Sequence, residues 1–97
     1  MPEATSHTWT FLSNHAHVLL CIARDPDARV RDIAEQVGIT ERAVQRILTE
    51  LEDGRVLARE RRGRRTHYAI EANARLRHPL ESHRSVADLV RLVEHDG

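Results

Sequence analysis

Read as a string of apolar and polar positions, the chain changes period twice. Between Ser13 and Arg24, Ala16, Leu19, Leu20 and Ala23 recur at helical spacing, Val18, Cys21 and Ile22 widen the apolar surface, and Asp25-Pro26 ends the run. Ser13 suits the N-cap, and a helix this apolar is expected to be buried on more than one side. Residues 26 to 31 read as a turn with a very short strand. A second helix follows from about Asp32 to Val37, and Gly38 closes it because glycine reaches left-handed backbone cheaply. Thr40 then caps a third helix reaching about Asp53, with Val44, Ile47, Leu48 and Leu51 as its inward stripe and Gly54 as its stop. The stretch from Ile33 to Leu51 is thus two short helices joined by a tight turn.

Past Gly54 the period shortens. Residues 56–61 and 66–71 partly alternate around Arg62-Gly63-Arg64-Arg65, which predicts a β-hairpin with a glycine in its tip. Residues 72–78 form a linker, and His78-Pro79-Leu80 suits a single turn, with proline at the first helical position. Ser85 and Asp88 resemble a capping box ahead of Val86, Leu89, Val90 and Val93, an i, i+3, i+4, i+7 stripe. That stripe exceeds what so small a core should absorb, and it is assigned to the seam of a homodimer. Trp9, Phe11 and Leu12, ahead of the first helix, are expected to pack over this domain's own core or a partner's. The expected division is an N-terminal arm over 1–12, a core domain over 13–71, and a linker with a C-terminal dimerisation helix over 72–97.

Composition narrows the class. A domain of 97 residues buries only about 60 to 65% of the surface its unfolded chain exposes, so a second subunit would help. Aromatics make up 3% of the chain, which leaves an aliphatic core and few platforms for stacking single-stranded bases. Cys21, the single cysteine, excludes an internal disulfide and a CxxC metal knuckle. Neither a signal peptide nor an apolar run of roughly 20 residues is present, so a cytoplasmic protein without a membrane partner is expected. All fifteen basic residues are arginines and they balance fifteen acids, yet the distribution is uneven. From Gly54 to Tyr68 six arginines meet only Glu60, leaving nine against fourteen acids elsewhere. A solvated charge run usually mixes signs; this segregation suits an element that lies along phosphates.

Ala34, Gly38 and Val44 carry a further signal: a small residue, a glycine four later and an aliphatic six beyond that. With Ile33, Val37, Ile39 and Ile47 around them and the basic hairpin behind, residues 13–71 resemble a winged helix-turn-helix transcriptional regulator of the type shared by the MarR and ArsR families. The resemblance implies a mainly α fold with a small β-hairpin and sequence-specific binding to double-stranded DNA. The long flanking helices of the full MarR pattern are lacking, and the sequence assigns no small-molecule effector.

Helical geometry alone selects the reading edge. If Val44, Ile47, Leu48 and Leu51 face inward, then Glu41, Arg42, Gln45, Arg46 and Thr49 face outward. Arginine bonds guanine bidentately and glutamine does the same to adenine, so Arg42, Gln45 and Arg46 are the candidates for base readout. Thr40 can offer its hydroxyl and neighbouring backbone N–H groups to a phosphate. Glu41 favours the positive helix end. Arg61, Arg62, Arg64 and Arg65 are the wing candidates, able to follow the backbone or enter a narrow minor groove. The competing reading of Arg46 is an i, i+4 pair with Glu50 on a solvated face. A winged-helix module that binds an acidic protein partner would use the same surface.

Seven histidines, His7, His15, His17, His67, His78, His83 and His95, raise a metal or thiol sensor as another class. His17 and Cys21 lie i, i+4 on one helix face, with His78 or His83 available from the C-terminal region. No HxH or CxC cluster strengthens them, and Cys21 also reads as a small core residue. No metal or other cofactor is assigned. A glycine-rich phosphate loop, an HExxH motif and a nucleophile setting are all missing, so no enzymatic activity is expected.

Overall fold

The computed structural model describes residues 8–94; the start of the expected arm with His7, and the last three positions with His95, lie outside the described residues. The chain forms α1 (Asn14–Arg24), α2 (Val30–Val37), α3 (Glu41–Asp53), β1 (Leu57–Arg62), β2 (Arg65–Ile70) and α4 (Val86–Leu92). Ser13 caps α1 as predicted, its hydroxyl accepting the Ala16 N–H. The expected short strand within 26–31 is absent. Asp25 takes the Asp27 N–H on its carboxylate (3.1 Å) and the Ala28 N–H on its carbonyl (3.0 Å), which folds the segment into a tight turn with no extended run to pair. Consequently α2 starts at Val30, two residues earlier than predicted.

Three helices build the core. Val18, Leu19 and Ile22 of α1 meet Ile33 and Ala34 of α2 and the whole predicted stripe of α3, Val44, Ile47, Leu48 and Leu51. Val56, Leu57 and Tyr68 extend it beneath the hairpin. Gly38 ends α2 at φ 86°, its N–H donating to the Ala34 carbonyl at 2.8 Å. The close of α3 differs from expectation: Gly54 sits at φ −81° and Arg55 takes the left-handed position at φ 62°. Val56 N–H to Leu51 O (2.9 Å) and Arg55 N–H to Glu52 O (3.0 Å) complete a Schellman closure one residue late. The Arg77 guanidinium packs over Gly54, its Nη1 standing 2.5 Å from where a Cβ would lie.

The strands pair antiparallel from Leu57 opposite Ile70 to Arg62 opposite Arg65. Their tip is therefore the two-residue loop Gly63-Arg64, tighter than the four-residue connection predicted. Gly63 at φ 62°, first of the two, gives the type II′ geometry whose twist matches the strands. Leu57, Tyr68 and Ile70 share the inward face, while Ala58, Glu60, Arg62, Arg65, His67 and Ala69 share the other.

Two apolar expectations change. Val86, expected at a dimer seam, is 2% exposed and belongs to this subunit's core, with Leu89 and Val90 partly buried against it. The segment 72–76 brings α4 there: Val86 N–H donates to Ala74 O (2.8 Å) and Ala87 N–H to Ala72 O (3.0 Å). The predicted capping box is complete, with Asp88 N–H on Ser85 Oγ and Ser85 N–H on Asp88 Oδ2. Trp9 and Phe11 do not cover this domain's core. They meet edge to face, 5.0 Å between centroids, and stay 67% and 92% exposed. Phe11 and Leu12 instead border an apolar groove of about 520 Å³ whose floor includes Leu19, Val86 and Leu89.

Candidate nucleic-acid interface

Burying the α3 stripe turns Glu41, Arg42, Gln45, Arg46 and Thr49 outward, and all five are exposed. Thr40 caps the helix: its Oγ1 accepts the Ala43 N–H at 3.0 Å, which leaves the hydroxyl hydrogen free to donate. Among the described residues Arg42 makes no ion pair. Arg46 does, reaching Glu50 Oε2 at 3.2 Å, the i, i+4 contact foreseen as its competing role. Glu50 is shared, because His15 Nε2 lies 2.6 Å from its other oxygen. Those hydrogen bonds, the one from His15 first, hold the Glu50 carboxyl below its ordinary range. Thr49 is engaged too: its Oγ1 accepts from Arg59 Nη2 at 3.0 Å, while Arg59 Nε donates to Glu52 Oε1 at 3.0 Å. Arg59 therefore braces the hairpin against α3.

The hairpin's cations are disposed differently. Arg62 pairs with Glu60 at 3.1 Å, Arg61 Nε donates to the Gly63 carbonyl at 3.3 Å, and Arg65 Nη2 donates to the Asp27 carbonyl at 3.0 Å. Arg64, at the tip, has no ion pair among the described residues. Carbonyl partners orient a guanidinium without cancelling its charge, so the tip stays strongly positive. Besides Glu60, one acid from outside the hairpin approaches it: Asp27, whose carboxylate meets His67 Nδ1 at 2.8 Å. The His67 hydrogen bond, helped by the nearby charges of Arg65 and Arg62, holds Asp27 below the usual carboxylate range.

Sequence reasoning found α3's outward face and the hairpin cations but missed the contacts of His15, Asp27, Arg59 and His67. These join residues up to 40 positions apart, and no local pattern marks them. His17 and Cys21 do not converge on a common centre. His17 Nδ1 meets Asn14 Oδ1 at 3.1 Å, and Cys21 Sγ donates to Gln36 Oε1 at 3.2 Å. Burial pushes the Cys21 thiol up, which disfavours the reactive thiolate. Among the described residues no group of three or more His, Cys, Asp or Glu side chains could hold a metal ion, and no helix is long and apolar enough to cross a membrane.

Residues 10–65 match the family model described as the MarR family. Among solved structures, a zinc-responsive MarR family member from Lactococcus lactis, ZitR, is similar at a TM-score of 0.51 and 22% identity. The similarity covers 67% of this chain and 46% of that one, so this chain spans about half the length of that relative. No curated protein matches.

Proposed function

The chain belongs to the MarR family of winged helix-turn-helix regulators, and from that premise we propose that it binds duplex DNA and regulates transcription from the cytoplasm as a homodimer. The observation that carries the reading is charge placement. A hairpin whose tip holds Arg61, Arg62, Arg64 and Arg65 follows directly on a helix whose open face presents Arg42, Gln45 and Arg46. In this reading α3 enters the major groove, Arg42 and Gln45 contact base edges, and Arg46 joins them when it exchanges Glu50 for a base. Thr40 and Thr49 serve the phosphates on either side of that edge. The wing arginines lie along the backbone or in the adjacent minor groove.

Salt-dependent gel shifts test this. Binding to duplex should weaken linearly in log–log coordinates, by about 0.9 units of slope per phosphate contact. Absence of binding to any duplex at low salt would overturn the reading and favour an acidic protein partner for the same arginines.

The second subunit would dock on the groove between the N-terminal aromatics and α4, using Leu89, Val90 and Val93 together with Leu92. Leu92 is 75% exposed and is the cleaner probe, because Leu89 and Val90 also serve the subunit's own core. Leu92→Asp should shift the sedimenting mass from dimer to monomer without unfolding the chain; an unchanged dimer mass contradicts this seam.

A further inference from the structure

Asp27 lies outside both the recognition helix and the hairpin, yet it is the only side chain beyond the hairpin and α3 to which the described hairpin residues hydrogen-bond. We propose that Asp27 is the positioning residue of the wing: it fixes the angle at which the arginine tip meets DNA. The proposal rests on the DNA-binding reading above and adds a residue that reading does not use.

Two-stranded hairpins are marginal on their own and need an external support to hold a direction. At its root this hairpin is joined to α3 by Arg59 and by the Val56 N–H to Leu51 O bond of 2.9 Å. Those contacts lie along β1 and leave the tip free to swing. Three contacts on β2 remove that freedom, all from the turn after α1: Tyr68 N–H to Pro26 O (2.9 Å), Arg65 Nη2 to Asp27 O (3.0 Å) and His67 Nδ1 to Asp27 Oδ1 (2.8 Å). The support is stiff. Pro26 fixes its own φ, and Asp25 holds the Asp27 and Ala28 amides. Asp27 thus grips β2 twice, through its carbonyl and through its carboxylate, one and three residues past Arg64 of the tip.

Charge makes the sign of the test decisive. Asp27 is an acid beside Arg62, Arg65 and His67; the acids near it are Asp25, whose carboxylate holds the Asp27 amide, and Glu60, which lies opposite His67 on β1. If it acted by charge alone, removing it would strengthen attraction to phosphates. As a positioning residue it must do the reverse.

The experiment measures duplex affinity across salt for the full chain, for Asp27→Ala and for Asp27→Asn, with amide exchange at Tyr68 as a DNA-free reading of the clamp. Asp27→Ala should bind at least about threefold more weakly at low salt, with a shallower salt slope and faster Tyr68 exchange. Asp27→Asn keeps the acceptor oxygen and should stay within about twofold of the unaltered chain. Equal or tighter binding by Asp27→Ala overturns the proposal, as does unchanged Tyr68 protection. Failure of the unaltered chain to bind any duplex would instead sink the DNA reading, and that result is visible before either variant is compared.

Discussion

The outward face of α3 and the tip of the hairpin both carry arginines, but they treat the positive charge in opposite ways. On α3, Arg46 is drawn to Glu50, Arg59 reaches over to Glu52, and Glu41 begins the helix, so the face is close to neutral. In the hairpin only Arg62 of the four tip arginines pairs with a carboxylate, that of Glu60; Arg61 and Arg65 are held by carbonyl oxygens, and Arg64 projects without an ion pair among the described residues. Carboxylate partners cancel a charge; carbonyl partners only aim it. The difference divides the labour. In the proposed DNA-binding reading, the near-neutral helix chooses among sequences through geometry, while the largely uncompensated hairpin supplies attraction that ignores sequence.

The largest expected effect breaks the hairpin side of this contrast. Replacing Arg62, Arg64 and Arg65 together with alanine should weaken binding by two to three orders of magnitude at about 0.1 M salt, in fluorescence anisotropy with any duplex. Sequence preference should survive. Arg42→Ala attacks the other side: discrimination at one base pair should fall by about 1 to 3 kcal/mol, measured against a panel of single-site variants, with the salt slope nearly unchanged. A loss spread evenly over all sequences would move Arg42 from reader to phosphate anchor.

The smallest effect sharpens the boundary. Glu50→Gln removes the charge that holds Arg46 and should tighten duplex binding by about two- to fivefold, the size of an exposed ion pair. The acid limb has a defined sign. The Glu50 carboxyl is held below its ordinary value of 4.5, so its contribution to folding is present above that value and is lost as pH falls through its lower folded value. Denaturant titration between about pH 5 and 3 should therefore show the unaltered chain losing more stability than Glu50→Gln.

How much of this was legible in the sequence depended on the distance over which each feature is decided. The α3 stripe and its Thr40 cap were readable because a helix fixes its own faces within a few residues. The hairpin was readable from its alternation and Gly63, though the tightness of its tip was not, since one left-handed glycine suffices for a two-residue loop. Val86 shows the limit more sharply: an apolar stripe looks the same whether it meets its own core or another chain, and only the return of residues 72–76 decides it. Gly54 and Arg55 teach the same lesson. Glycine is the obvious left-handed residue, yet the left-handed position falls one residue later, on Arg55. Asp27 and His67, 40 positions apart, carried no local signal at all.

The most direct test of the division is a salt titration of affinity on two duplexes, one selected from random sequence by this protein and one with that site scrambled. The two plots of log affinity against log salt should be parallel and steep, offset by a constant that Arg42→Ala removes and a slope that the triple hairpin variant lowers by about 2.7 units. Contradiction would be a slope carried by Arg42 and untouched by the hairpin, because attraction would then reside in the helix and the arginine tip would be ornament to another function.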